Sequence, residues 1–487
     1  MKYFKRLIAG ILASSMLMGF AGCTGSQGTE NGTADSSTEK SSEPSIKLTE
    51  EQIALYAAYS TENAKRALEI ALATVDNYID PMSYKKTDTV VLAESCTVSP
   101  NQDRFARNGV ASVWHYTAFW AMQSKMLPLT TGEANSYFSE LYQNTYKSMS
   151  YYEGTGNVTT YMGTDTYSMY AVNRSGSSGG ADISGINAVY DDQMWIIREL
   201  IYGYEQTGSQ LYLEQAERLT KVCLDGWDVT KDEKGNEIGG ICWGPGYATK
   251  HTCSNGPLIL PLVELSEIYT SLGDAEKAAY YLEWAVKVYE FCVKYFTLGA
   301  VYGDFVGSSR EAEGSAKNRH YVTTSQSTSP DKATYTYNTG TIVSGAAALY
   351  RVTGEEKYLR TATRNAKGAL NHFTQVYPDP DNKDTEYRLW PSDAQIWFNL
   401  IMLEGYLELY EFAPEICLEA INTFQTSLDY AYEHHAKNGF LPAHYIYGWD
   451  RKNSKDTNKN VMDQATAAHI YAVLAEFYAG LVAEQSQ

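Results

Sequence analysis

The chain has 487 residues and a formal net charge of −19, from 39 basic and 58 acidic side chains. This excess of acid argues against nucleic acid as a partner and against docking on anionic lipid through a basic patch, because both need a positive surface. Apolar residues make up 44% of the chain, which is enough for a large core. Forty tyrosines and nine tryptophans add flat amphipathic rings that can stack on sugars, so a neutral ligand is favoured.

The first residues are typical of an export signal. A basic start precedes an apolar stretch over 7–20 that is too short for an ordinary transmembrane helix. The stretch leads to Cys23 in a sequence similar to a bacterial lipobox, so we expect a lipoprotein signal peptide over 1–22 and lipidation of Cys23, with ordinary signal cleavage as the alternative. Residues 23–46 are rich in Ser, Thr, Gly and Glu, which predicts a disordered linker. The protein is therefore expected on the outer face of a bacterial cell membrane, held by its lipid.

Residues 47–487 are predicted to form one all-α domain of twelve helices. The predicted helices cover 50–79, 108–126, 133–152, 188–206, 209–225, 251–271, 273–297, 337–352, 355–374, 393–411, 413–435 and 460–484. Even members are poor in charge and rich in aromatic and small residues, whereas odd members are amphipathic. Because an all-round apolar helix is buried and an amphipathic one lies outside, the alternation predicts an (α/α)6 toroid of six helical hairpins.

A repeated motif supports the hairpins, although tetratricopeptide-like solenoids carry similar repeats. Its first copy contains Tyr204, Gly208, Tyr212 and Leu213, and its second contains Tyr350, Gly354, Tyr358 and Leu359; a looser copy runs over 269–282. In each copy we expect the glycine to end an inner helix in a left-handed cap and the Tyr-Leu pair to seat the next outer helix. Long loops lead mostly into the even helices, so they should gather on one face and build a cleft.

Six cysteines follow the signal segment, and they lack the close spacing of a metal site. They are Cys96, Cys223, Cys242, Cys253, Cys292 and Cys417. Cys242 and Cys253 could close a short loop, but free buried thiols fit the sequence equally well.

Two adjacent carboxylates, Asp191 and Asp192, open the predicted helix 188–206 after a Gly-Ser loop. Glycoside hydrolysis normally uses two carboxyl groups, one as an acid and the other as nucleophile or base. Adjacent helical residues diverge by about 100°, so a separation of roughly 5–6 Å is within reach, and this range is typical of retaining enzymes. The helix N-terminus would favour one anion, while repulsion and burial would raise the pKa of the other. The alternative is an ordinary helix cap with a first-turn charge.

Polar and aromatic residues recur near the start of nearly every predicted inner helix. The candidates for contact with a saccharide are Trp114, His115, Trp195, Trp243, Asn255, Tyr335, Tyr337 and Asn338. Singly, such residues more often pack, cap a helix or form a satisfied core histidine. Together they favour a sugar-binding groove.

Four motifs, in their order along the chain, resemble those of glycoside hydrolase family 76. They are Asp191-Asp192 with Trp195, Gly239-Gly240-Ile241-x-Trp243, Lys250-x-x-x-Ser254-Asn255-Gly256, and Tyr335-Thr336-Tyr337-Asn338-x-Gly340. Members of that family are endo-acting α-1,6-mannanases with an (α/α)6 barrel. The resemblance implies α-mannan as substrate and no metal or cofactor. It also implies a retaining double displacement with Asp191 as nucleophile and Asp192 as acid/base.

The chain departs from the family pattern at three positions. Cys242 replaces the first tryptophan of a Gly-Gly-Ile-Trp-Trp run, His251 replaces an asparagine, and Thr339 stands where the family has glutamine. These departures bear on the sugar more than on the reaction, and residues 50–99 carry no family motif. The alternative functions are an (α/α)6 glycosidase or lyase with a different sugar, or a non-catalytic glycan-binding lipoprotein. We expect a monomer.

Overall fold

The computed structural model describes most of the chain from residue 46 to residue 485. The described ranges are 46–97, 106–315, 318–379, 382, 384–390, 396–442, 445, 448–451, 454–455 and 458–485. The predicted signal peptide, Cys23 and nearly all of the predicted linker lie outside the described residues, as does the predicted start of the helix 393–411.

Within these residues the chain forms thirteen α-helices. They are α1 (Glu50–Tyr78), α2 (Pro81–Thr87), α3 (Val113–Met126), α4 (Gly132–Ser148), α5 (Tyr190–Thr207), α6 (Gln210–Leu224), α7 (Gly256–Ser271), α8 (Ala275–Phe296), α9 (Thr336–Thr353), α10 (Glu356–Phe373), α11 (Ile396–Leu409), α12 (Pro414–His435) and α13 (Val461–Glu484). Twelve of them correspond to the predicted helices, and the short α2 was not predicted.

The inner helices α3, α5, α7, α9, α11 and α13 form a closed ring. Each contacts the next one, and α13 returns to α3. Five outer helices, α4, α6, α8, α10 and α12, pack against the inner helix that precedes them in the chain, whereas α1 packs against α13. The predicted (α/α)6 toroid is thereby confirmed. Because each outer helix runs back along its inner partner, all six inner helices begin at the same end of the barrel.

Small residues allow the inner helices to approach closely. A Cβ on Gly340 of α9 would lie 2.5 Å from the carbonyl oxygen of Ile401 in α11, and a Cβ on Gly405 would lie 2.8 Å from the carbonyl oxygen of Gly340. Any larger residue at these positions would push the two helices apart. By length and apolar composition α13 could cross a membrane, but most of it is buried inside the ring.

The repeated motif behaves as predicted. Gly208 and Gly354 end inner helices with φ angles of 65° and 67°, and their N–H groups donate to the carbonyls of Tyr204 (2.7 Å) and Tyr350 (2.8 Å). The tyrosines four residues further on, including Tyr358, lie in the first turn of the outer helices and are buried. These left-handed caps turn each inner helix sharply into its outer partner.

Helix α1 completes the outer layer of the barrel, although its sequence carries no family motif. Ser60 donates to the carbonyl of Ala475 in α13 (2.9 Å), and Arg66 forms an ion pair with Asp429 of α12. At the chain ends, the Gln485 side chain accepts from the N–H of residue 48 (3.1 Å) and donates to the carbonyl of residue 46 (2.9 Å). The first and last described residues therefore meet.

Every described strand lies in a loop that leads into an inner helix. The strands are β1 (Ser95–Thr97), β2 (Ala106–Asn108), β3 (Glu153–Thr159), β4 (Thr164–Tyr170), β5 (Lys250–His251), β6 (Thr297–Leu298), β7 (Val301–Tyr302), β8 (Phe305–Val306), β9 (Ser308–Glu313), β10 (His320–Gln326), β11 (Gln375–Pro378), β12 (Glu386–Leu389), β13 (Asp450–Arg451), β14 (Ser454–Lys455) and β15 (Asn458–Asn460). β1 pairs with both β2 and β15, β5 pairs with β8, and the others form two-stranded hairpins, all antiparallel. The long loops do gather at one end, which we call the mouth.

Three helix boundaries differ from the prediction because these loops form structure of their own. The helix expected from 108 begins at Val113, since the preceding segment forms β2. The helix expected from 251 begins at Gly256, after β5 and a 3-10 turn over Thr252–Ser254. The helix expected to end at 152 ends at Ser148 in another 3-10 turn. The six described cysteines are free thiols, so no bond joins Cys242 to Cys253.

Candidate active site

The paired aspartates lie at the mouth, in the first turn of α5. The N–H of Tyr190 donates to the carbonyl of Trp243 (2.8 Å), which fixes the start of the helix against the loop over 225–255. Asp191 is half-buried and Asp192 is 7% exposed. The backbone N–H of Asp192 donates to Asp191 Oδ1 (2.9 Å), so the two carboxyl groups take different positions around the helix end.

Two side-chain donors join the N–H of Asp192 in stabilising the anionic form of Asp191. The indole Nε1 of Trp243 donates to Asp191 Oδ2 (3.1 Å), and the Cys253 thiol also hydrogen-bonds to this carboxylate. Burial raises the pKa of Asp191 to about 6, and these hydrogen bonds keep it from rising further. Asp191 is therefore mostly ionised at neutral pH.

Asp192 has the opposite surroundings. Among the residues that the structure describes, no group donates a hydrogen bond to its carboxylate. Burial raises the pKa of Asp192 well above its ordinary value, and the neighbouring charge of Asp191 raises it further. The pair thus combines a stabilised anion with a protonated acid, the division of roles that acid–base chemistry on a glycosidic oxygen requires.

The loop that carries Trp243 is held by a fully buried asparagine. Asn255 accepts from the N–H of Ile241 (2.8 Å) and donates to the carbonyls of Ile241 (2.9 Å) and His251 (2.7 Å). The preceding Gly240 has a φ angle of 84°, and a Cβ there would lie 2.2 Å from a ring atom of Phe291. In this structure the Asn255 amide is bonded to loop backbone and shapes the mouth, and its contact with substrate stays a prediction.

A buried ion pair supports the same loop. Lys250 Nζ lies 2.6 Å from Asp228 Oδ2, and both side chains are fully buried. The ammonium group also donates to the carbonyl of Gly239 (2.6 Å) and to Gln326 of β10, while Thr323 donates to Asp228 Oδ2 (2.6 Å). These contacts join the β9–β10 hairpin to the Trp243 loop.

A third carboxylate, Asp304, was missed by sequence reasoning. The Tyr337 hydroxyl donates to Asp304 Oδ1 (2.9 Å), and the Cys253 thiol bonds to Tyr337 as well as to Asp191. The pairing of β8 with β5 brings Asp304 next to the catalytic candidates. The same pairing stacks the His251 ring on the ring of Phe305 at 5.0 Å. Nothing in the local sequence marks a two-residue strand, so this proximity was not predictable.

Four aromatic rings line the other side of the mouth. Tyr335 lies parallel to Tyr337 at 6.0 Å, and Phe398 lies 4.5 Å from the Tyr337 ring and 6.3 Å from Trp114. Tyr335 is 36% exposed, so its face is open to a ligand. The structure thus brings three predicted stacking residues together, and adds Phe398.

Three other candidates lie beneath the mouth. His115 is held between the hydroxyl of Ser112 (2.7 Å) and the amide of Asn460 (2.7 Å), and is a satisfied core histidine. Trp195 is 6% exposed and packs edge-to-face on another buried indole at 5.5 Å. Asn338 is fully buried, and its amide has no hydrogen-bond partner within the described ranges. Because these side chains are buried, they offer little surface to a saccharide at the mouth in this conformation.

An (α/α)6 barrel whose mouth holds aromatic rings and two carboxyl groups in different surroundings has the arrangement of a glycoside hydrolase. The sequence signature described as Glycosyl hydrolase family 76 matches residues 149–484, more than half of the chain. The protein belongs to this family. Among curated proteins, none matches the chain significantly.

Solved structures share the fold. The family 76 mannosidase Bt3792 from Bacteroides thetaiotaomicron VPI-5482 is 22% identical, with a TM-score of 0.64 over 86% of this chain and 99% of that one. An α-mannanase from the same organism, BT2949, is 17% identical, with a TM-score of 0.59 over 88% and 97%. The α-1,6-mannanase GH76A of Salegentibacter sp. HEL1_6 is 16% identical, with a TM-score of 0.56 over 85% and 99%.

Proposed function

We propose that the protein is an endo-α-1,6-mannanase that cleaves α-mannan backbones with retention of configuration. One observation carries the proposal: the mouth of this family 76 protein holds two carboxyl groups, and the pKa of Asp192 is raised further than that of Asp191. The structural relatives support the sugar, since they include α-mannanases. An inactive variant of the Salegentibacter enzyme, with two consecutive aspartates replaced by asparagine, has been solved with α-1,6-mannotriose.

In the proposed mechanism Asp191 attacks the anomeric carbon. The bond between the anomeric carbon and the glycosidic oxygen breaks as the ester to Asp191 forms, and Asp192 gives its proton to the departing oxygen. Asp192 then takes a proton from water, and the resulting hydroxide equivalent releases the sugar from Asp191. The donors from Trp243 and Cys253 support Asp191 as the anion, and the lack of donors supports Asp192 as the acid.

The aromatic rings at the mouth supply the sugar contacts in this proposal. The Trp243 indole donates to Asp191, and Tyr337, which shares the Cys253 thiol with Asp191, has the Tyr335 ring beside it. Stacking on a pyranose face is worth most where a ring is exposed, and Tyr335 meets this condition.

Debranched, linear α-1,6-mannan tests the function. Purified protein should release a ladder of oligosaccharides, and NMR of the first products should show the α-anomer, because two inversions restore the starting configuration. A β-anomer would rule out double displacement, and mannose as the sole early product would rule out endo action. Turnover of another α-linked glycan, with none on mannan, would place the chain with a different sugar.

We also propose that Cys23 anchors the protein to the outer face of the cell membrane. The support is the sequence alone: an apolar segment that leads to a lipobox-like cysteine. Cells expressing the full chain should carry the protein in the membrane fraction, and Cys23→Ala should release it. Equal membrane retention of the variant would remove the anchor from the proposal.

A further inference from the structure

A pocket runs along the barrel axis from beneath the mouth towards the opposite end. Its volume is about 140 Å³, and it is bounded by α3, α5, α7, α11 and α13. Trp195 lines its inner end and the exposed Glu205 its rim. Asp191 and Glu205 are fourteen residues apart on α5, which corresponds to about 21 Å at 1.5 Å per residue. We call this cavity the axial pocket.

The walls of the axial pocket carry more negative than positive groups. Four carboxylates face two cations there: Glu199, Glu205, Glu264 and Glu404 against Lys125 and Arg198. Arg198 pairs with Glu404 at 2.6 Å, and Lys125 Nζ lies 3.9 Å above the Tyr202 ring. Within the described ranges, neither Glu205 nor Glu264 has a basic nitrogen within 4 Å. Burial raises the pKa of Glu264 to about 8, and a cation placed beside this carboxyl would favour its ionised form.

Unpartnered buried polar atoms point to a missing ligand. Glu199 Oε1, Trp397 Nε1 and both ring nitrogens of His469 have no hydrogen-bond partner among the described residues, and Glu404 Oε1 lies 3.8 Å from His469 Nε2, beyond hydrogen-bond distance. The side chains of Glu199, Trp397 and His469 line the pocket and are only 5%, 4% and 3% exposed. Buried polar groups normally form hydrogen bonds with protein, water or ligand. A buried group left without a hydrogen bond costs roughly 1–3 kcal/mol.

We propose that the axial pocket binds a small organic ammonium ion that carries a hydroxyl group. The carboxylates of Glu205 and Glu264 attract the positive charge, and the rings of Trp195 and Trp397 offer aromatic surface to its C–H groups. The unpartnered imidazole of His469 is placed to bond the hydroxyl group. A bare metal ion fits less well, since no group of three or more His, Cys, Asp or Glu in the described part of the chain could hold one.

Ethanolamine hydrochloride is the probe that tests this site. Melting temperatures are measured in phosphate buffer near pH 8, with sodium chloride at equal ionic strength and ethylene glycol as the neutral analogue. The proposal expects a rise of roughly 2–5 °C at saturation with ethanolamine alone. No rise beyond that in sodium chloride, or an equal rise with ethylene glycol, overturns it.

Two variants locate the effect. Glu264→Gln removes a charge at nearly constant volume and should weaken the apparent affinity at least about tenfold, with Glu205→Gln at the exposed rim as a second variant in case the first fails to fold. Glu214→Gln, on an exposed part of α6, is the matched control and should respond like the natural chain. An unchanged response in both pocket variants overturns the assignment. Turnover of mannan should be unaffected in all three, so failure here is distinct from failure of the proposed hydrolase activity.

Discussion

The two ends of the barrel both contain buried carboxylates with raised pKa values, yet they differ in what surrounds those groups. At the mouth, loops bring donors and aromatic rings to Asp191 and leave Asp192 without a donor. At the axial pocket the carboxylates stand on helices, and burial raises the pKa of Glu199 to about 7 and that of Glu264 to about 8.

This difference shows that a raised pKa alone does not identify a catalytic site. Burial is enough to raise it, and a closed ring of helices buries polar groups at both ends. Chemistry on a polymer also needs an open approach and groups that distinguish two carboxyls from each other. In the part of the chain that the structure describes, only the mouth has loops that supply both.

Replacing either mouth carboxylate should produce the largest effect. Asp191→Asn and Asp192→Asn should each lower kcat/KM on linear mannan at least roughly 10³-fold, because nucleophile and acid act in the same bond-breaking step. Release of reducing ends measures the loss. Asp165→Asn, on the exposed β4, is the control and should retain activity. Near-normal turnover by either mouth variant would contradict the view that the mouth carboxyls are catalytic and those of the axial pocket are not.

Breaking the buried ion pair behind the mouth should be the next largest effect. Lys250→Met leaves Asp228 buried and unpaired, so the free energy of unfolding should fall by about 3–5 kcal/mol. Urea unfolding followed by fluorescence measures it. Lys277→Met removes a pair of similar length, 2.7 Å to Glu217, whose lysine is 47% exposed, and should cost less than about 1 kcal/mol. Equal losses of unfolding free energy in the two variants would mean that burial does not determine how much an ion pair stabilises the protein.

Removing the indole donor sharpens the assignment of Asp191. Trp243→Phe should lower kcat/KM about 10–100-fold and move the acidic limb of the pH profile, expected near pH 6, to higher pH. The sign follows because the donor stabilises the anion, so its loss raises the pKa of Asp191. Trp284→Phe on outer helix α8 serves as the control. An acidic limb that does not shift would show that Trp243 does not affect the ionisation of Asp191.

The smallest effect is expected at the axial pocket. A carboxyl whose pKa is higher in the folded than in the unfolded state binds more protons when folded, so stability falls as pH rises from about 4 towards about 8. Glu264→Gln removes this contribution. Its melting temperature relative to the natural chain should therefore increase across that window, in buffer free of amines. A constant difference would contradict the raised pKa.

Much of the fold was predictable because its signals are local. The alternation of apolar and amphipathic helices predicted the ring, and Gly208 and Gly354 marked two of its turns. The mouth was less accessible to sequence reasoning. Asn255 looked like a ligand-binding amide but holds the loop, and Asp304 depends on the pairing of two-residue strands distant in sequence. The roles of Asp191 and Asp192 stay predictions.

The meeting of the chain ends at Gln485 places the start of the described chain at one end of the barrel. Helix α1 begins where α13 ends, at the end opposite the mouth. If Cys23 holds the protein to the membrane, this placement leaves the mouth free to face outward, towards polymers too large to approach the lipid surface. In that arrangement the axial pocket faces the bilayer. Fluorescence quenching by lipid-depth probes, with dyes placed at either end of the barrel, would measure this polarity directly.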